Sequence, residues 1–117
     1  MKIYIAGPIV GTESGEAFRS AADKLAKSGY TAISPTRITT PYESHDSAMT
    51  IRLSELLRCD GVALLPGWSR SRDVRLELDV AFSCGKEVRW CESWVGDSNA
   101  ESWEDIVATD ANGEALE

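Results

Sequence analysis

The run Pro66-Gly67-Trp68-Ser69-Arg70-Ser71-Arg72-Asp73-Val74-Arg75-Leu76-Glu77 gathers hydroxyls, arginines and a carboxylate in one short stretch. Hydroxyls and backbone N–H groups at the start of a helix suit a phosphate, and arginine suits it further. Glu77 lies between Leu76 and Leu78, so it is expected to be partly buried, and a desolvated carboxylate beside a ligand can serve as nucleophile or base. The same residues also fit a surface helix whose glutamate pairs with an arginine. A second candidate is the loop Gly7-Pro8-Ile9-Val10-Gly11-Thr12, where glycines let the backbone approach a bound group closely and a helix start follows. It is neither a GxGxxG nor a P-loop, and a tight turn without a ligand accounts for it equally.

These runs need elements to hold them. Residues 2–6 are β-branched and aromatic and stop at Gly7-Pro8; Ala17, Phe18, Ala21, Ala22, Leu25 and Ala26 then mark one face of a helix over 14–28, closed by Gly29. Residues 30–34 read as a strand ended by Pro35, and 36–47 as a polar loop. Met49, Leu53, Leu56 and Leu57 give a second helical stripe, 61–65 the most apolar strand, Val74, Leu78, Ala81 and Phe82 a third stripe, and 86–90 a fourth strand. Strands that are apolar throughout and alternate with helices predict an α/β fold: a small doubly wound, Rossmann-like or flavodoxin-like parallel sheet of four to five strands. Its expected order is 2-1-3-4, with helices on both faces. Ligands bind such sheets at the carboxyl ends of the strands where the order reverses, which points to 7–15 and 66–77.

The chain has 117 residues and a net charge of −7. All twelve Lys and Arg lie in 1–95 together with twelve acids, whereas the last 22 residues hold seven acids and no base. The expected organisation is therefore one neutral domain over 1–95 and an acidic tail over 96–117, which is either a short docked helix carrying Trp103 and Ile106 behind the capping box Ser98 to Glu101 or a disordered acidic end. With no basic excess, polymeric nucleic acid lacks an electrostatic attraction. Cys59, Cys84 and Cys91 form no CxxC pair and His45 is the one histidine, so no metal site is expected and the cysteines read as reduced thiols. The first residues are too short for a signal peptide or a membrane span, and the expectation is a soluble, cytoplasmic protein.

Ile3 to Pro8, Ala17-Phe18 with Ala21-Ala22, Cys59-Asp60-Gly61-Val62, and the run Leu64 to Ser71 followed by Leu76-Glu77-Leu78 resemble a domain family of unassigned function. That family is similar to nucleoside 2-deoxyribosyltransferases and to 2′-deoxynucleoside 5′-phosphate N-hydrolases, and its members frequently come from phage and bacterial genomes. The resemblance covers about residues 2–90. It implies a small-molecule nucleoside or nucleotide as partner, no cofactor, and a homodimer or larger assembly. It also implies a catalytic Glu77 that attacks C1′ to form a glycosyl-enzyme. Ser71 and the loop Gly7, Pro8, Ile9 and Gly11 would hold a 5′-phosphate, with Ser69 and Trp68 beside them and Tyr4 near the sugar. Two positions depart from the family pattern. Arg52 stands where relatives carry an aspartate of the catalytic site, and Asp73 where they carry glycine. Asp73 would share a helix face with Glu77, Arg52 would offset Asp73 by pairing with it, and Asp46, Glu43 or Glu55 are left as substitute acids. The resemblance thus implies an N-glycosidase or deoxyribosyltransferase, with a sequestering nucleotide binder of the same fold, or a module whose acidic tail recruits a basic partner, as the alternatives.

Overall fold

In a computed structural model, described here for residues 1–9, 14–40 and 42–96, the alternation of strand and helix is realised in three layers. The element order is β1 (Lys2–Ala6), α1 (Ser14–Lys27), β2 (Thr31–Ile33), α2 (Pro35–Ile38), α3 (His45–Arg58), β3 (Gly61–Leu64), a 3₁₀ turn (Trp68–Arg70), α4 (Arg72–Ser83), β4 (Glu87–Trp90) and α5 (Cys91–Val95). The four strands are all parallel in the order β2-β1-β3-β4, with Ile3 opposite Gly61 and Ala6 opposite Leu64 in the central pair. The expected order 2-1-3-4 and the α/β class are both found.

Alternate side chains of the central strands feed two cores, as the pleat requires. Tyr4, Ala6, Val62 and Leu64 pack with Leu56 of α3 and with Val74, Leu78 and Ala81 of α4. Ile3, Ile5 and Ala63 point the other way and pack with Phe18, Ala21, Ala22 and Leu25 of α1 and with Cys91 and Trp94 of α5. Strands buried on both faces explain why 2–6 and 61–65 read as continuous apolar runs. Asp60 ties the sheet's amino edge, its carboxylate accepting from Lys2 N–H at 2.8 Å and its own N–H donating to Lys2 O at 2.8 Å.

Two elements lie where the sequence predicted none. Pro35, read as the end of a strand, also opens α2 at its first turn, where its missing N–H costs nothing. His45, read as part of a polar loop, opens α3, because the Ser44 hydroxyl accepts from Ser47 N–H and caps the helix. α5 is five residues long, below the length at which a periodic stripe can be recognised. Trp94 anchors it by donating its indole N–H to Val62 O at 2.8 Å in the core.

The three cysteines are unpaired, with Cys59 and Cys91 buried; burial pushes the Cys59 thiol up to about 11, which holds it as an inert thiol. Among the described residues no group of three or more His, Cys, Asp or Glu is placed to hold a metal ion. No described helix is long and apolar enough to cross a membrane. The capping box and the helix expected around Trp103 fall outside the described residues.

Candidate active site

An open cleft of about 150 Å³ lies at the carboxyl edge of the sheet, lined by Gly7, Ile9, Pro35, Arg52, Ser71, Asp73, Val74 and Glu77. Its position follows from the topology. The order in which strands are added reverses between β1, which is followed by α1 on one face, and β3, which is followed by α4 on the other, and the departing segments leave a crevice between them. β1 delivers Gly7, β2 delivers Pro35, α3 lays Arg52 alongside, and α4 supplies Ser71 to Glu77.

The backbone at the cleft demands glycine in two places. A Cβ on Gly7 would stand 2.8 Å from the Cβ of Leu65, so β1 and the end of β3 close together only because Gly7 has none. Gly67 adopts φ +86° to start the 3₁₀ turn, and its Cα faces the Pro8 ring, which a Cβ would approach to 3.2 Å. These two contacts hold the β1 and β3 loops side by side.

Glu77 is the buried polar centre. It is 2 % exposed, within the stripe formed by Val74, Leu78 and Ala81. Leu76, the apolar neighbour that suggested its burial, is itself exposed. The hydroxyl of Tyr4, wholly buried on β1, donates a hydrogen bond to Glu77 Oε2. Burial pushes the Glu77 carboxyl up to about 7, against the lowering effect of the Tyr4 hydrogen bond and the Arg52 cation; the Asp73 charge adds to the rise. Burial beside that carboxylate likewise raises Tyr4 far above the ordinary phenol range. A carboxylate poised near neutrality and opening onto a cleft is suited to attack or to accept a proton.

Arg52 and Asp73 meet across α3 and α4, Arg52 Nη1 standing 3.5 Å from Asp73 Oδ2, so the pairing anticipated between them is present. His45 Nε2 lies 3.0 Å from Asp73 Oδ1 and completes a chain of three charged or titratable side chains over the cleft. Arg52 Nη1 also approaches Met49 Sδ at 3.6 Å, while Arg52 Nε is buried and has no hydrogen-bond partner among the described residues. The Ser71 hydroxyl caps α4 by accepting from Val74 N–H at 3.3 Å, which leaves its own hydrogen to donate into the cleft.

Other candidates are placed elsewhere. Trp68 is buried in the core under α4 and Ser69 lies in the 3₁₀ turn; neither lines the cleft. Pro8 packs on Gly67 behind the lining residues. Arg70, Arg72 and Arg75 are exposed and outside it. Asp46 is exposed in the first turn of α3; Glu43 accepts from Thr40 N–H, and Glu55 pairs with Arg58 at 2.9 Å. None of these three carboxylates lines the cleft. Gly11 lies outside the described residues. The sequence missed His45, whose link to Asp73 spans 28 positions and has no local signature. The Ser44 cap was the one local sign that His45 begins a helix.

The family model described as Domain of unknown function (DUF4406) matches residues 1–90. Among solved structures, the chain is similar to a 2-deoxyribosyltransferase from the psychrotolerant bacterium Bacillus psychrosaccharolyticus, with 19 % identity and a TM-score of 0.65 over 98 % of this chain and 97 % of that one. It is also similar to a CMP N-glycosidase of Clostridium botulinum, with 17 % identity and a TM-score of 0.58 over 75 % of this chain and 68 % of that one. At such identities the likeness establishes the shared fold. No curated protein matches the chain.

Proposed function

Because the chain belongs to the family described as Domain of unknown function (DUF4406) and carries a buried glutamate in its sheet-edge cleft, we propose that it cleaves or transfers the N-glycosidic bond of a nucleoside or nucleoside 5′-phosphate through Glu77. The observation that carries this reading is the Tyr4–Glu77 pair, which fixes one carboxylate oxygen and leaves the group at the cleft. The two similar structures, a 2-deoxyribosyltransferase and a CMP N-glycosidase, support the same substrate class.

In this reaction Glu77, ionised, attacks C1′ while the C1′–N bond breaks and its electron pair leaves on the base nitrogen. A water molecule protonates that nitrogen. The hydroxide so formed, or an acceptor base in a transfer reaction, then attacks C1′ and frees the carboxylate. A retaining glycosyl transfer uses one carboxylate in this way. Ser71, the α4 amino terminus and the Gly7 loop hold the 5′-phosphate, and Tyr4 positions the nucleophile. No cofactor is needed for this chemistry. Assembly as a homodimer or larger is supported by Leu57, Leu76 and Phe82, large apolar side chains exposed on α3 and α4. The protein is proposed to work in the cytoplasm, its domain ending near residue 95.

A second reading, a nucleotide-sequestering protein of the same fold, is favoured by one observation. Arg52 and His45 both engage Asp73, and the exposed Asp46 offers no replacement acid in the cleft. Incubation with nucleosides and their 5′-monophosphates, followed by chromatography for free base, separates the two. Base release that disappears in Glu77→Ala supports the enzyme; stabilisation by nucleotides without release supports the binder.

A further inference from the structure

Resting on the nucleoside reading of this cleft, we propose that Arg52 makes the protein selective for ribosides over 2′-deoxyribosides, by donating a hydrogen bond to the 2′-hydroxyl from the floor of the cleft. In a β-nucleoside the base occupies one face of the sugar ring, so a carboxylate that displaces it approaches C1′ from the opposite face. In ribose the 2′-hydroxyl projects from that same opposite face, next to C1′. Whatever side chain neighbours Glu77 on the cleft floor therefore meets the 2′ position.

That neighbour is Arg52. Both residues line the cleft, and the guanidinium is close enough to bias the ionisation of Glu77. Its side chain is only 13 % exposed, and its rigid fork is fixed at Nη1 by Asp73 and Met49. The Nε–H is buried with no partner among the described residues. Because Arg52 lines the cleft while its Nε is shielded from solvent, the donors open to a ligand are those of the terminal nitrogens; a ligand oxygen there gains a hydrogen bond, and a ligand with hydrogen there does not. A guanidinium has only donors to give, and the 2′-hydroxyl has lone pairs to accept them. Sites built to bond a substrate hydroxyl discriminate strongly against analogues that lack it. Asp73 supports the arrangement by holding Arg52, and His45 steadies Asp73 from the exposed side.

The test uses the full chain with the four ribonucleoside 5′-monophosphates and their four 2′-deoxy counterparts. Base release and thermal stabilisation are both recorded, for wild type, Arg52→Met and Arg52→Lys. The expected result is a preference for at least one ribonucleotide over its deoxy counterpart of roughly ten- to a hundredfold in kcat/KM. The preference collapses towards unity in Arg52→Met and is partly kept in Arg52→Lys. Equal or better handling of deoxynucleotides by wild type overturns the assignment while leaving the glycosidase reading intact, as does a riboside preference unchanged in Arg52→Met. If no nucleotide releases base, the glycosidase reading fails, and thermal shift decides the inference. Ribonucleotide-selective stabilisation lost in Arg52→Met upholds it, and equal or absent stabilisation overturns it. Should Arg52→Met fail to fold by circular dichroism, the wild-type ratio and Arg52→Lys decide.

Discussion

The hydroxyl of Tyr4 donates to Glu77 Oε2 across 73 residues of sequence, joining the first strand to the helix that follows the third inside a buried core. This contact fixes the orientation of the carboxylate and opposes the rise that burial imposes on its pKa. The site chemistry depends on the balance between the two effects.

Activity follows from that balance. As the proposed nucleophile Glu77 must be ionised, so kcat/KM for base release is expected to rise with pH along an acidic limb near 7, the level to which burial lifts its carboxyl. Tyr4→Phe removes the hydrogen bond that favours the anion, and the limb moves upward. A pH profile of base release for the two proteins checks both the position and the direction.

Stability carries the same signature with the opposite slope. Below the ordinary value of 4.5 Glu77 is protonated in folded and unfolded chains alike. Between 4.5 and about 7 the unfolded chain releases the proton and the folded one keeps it, so the wild type loses stability as pH rises through that window. Glu77→Gln lacks the loss. Its stability relative to wild type should be about 3 kcal/mol more favourable at pH 8 than at pH 4, read from urea unfolding at both pH values.

The Arg52–Asp73 pair is tested by opposed substitutions. Arg52 favours the Glu77 anion and Asp73 disfavours it. Asp73→Asn is expected to lower the acidic limb and Arg52→Met to raise it. Shifts in the same direction would show that the two act through packing rather than charge.

The family match ends at residue 90, yet Cys91 and Trp94 lie in the core. A chain ending at Trp90 should be less stable than one ending at Gly96 by about 3–5 kcal/mol, the loss expected when a buried tryptophan is deleted. Chemical denaturation of the two truncations measures this.

The sheet was legible because its signals are local. Ile3, Ile5, Val62 and Leu64 are apolar in runs bounded by Gly7 and Pro66, and the stripes of Phe18 to Leu25 and Val74 to Ala81 have helical spacing. Glu77 was legible as a candidate, and the Arg52–Asp73 pair as an anticipated contact. α2 and α5 were not legible, being four and five residues long. Trp68 looked like a pocket wall because it follows the strand edge, but the αL turn at Gly67 swings it under α4 into the core. Nor did local spacing reveal His45 over Asp73, since only the packing of α3 against α4 brings them together.

The proposed reaction requires Glu77 to form a bond to C1′. Its most direct test is intact-protein mass spectrometry of reactions with ribonucleoside and deoxyribonucleoside 5′-monophosphates, acid-quenched during turnover, with free base measured in parallel. The expected result is a mass increment equal to the sugar phosphate less one water, mapped by peptide digestion to Glu77 and absent from Glu77→Gln, which releases base at least about three orders of magnitude more slowly. Base release that continues at the wild-type rate in Glu77→Gln would contradict it.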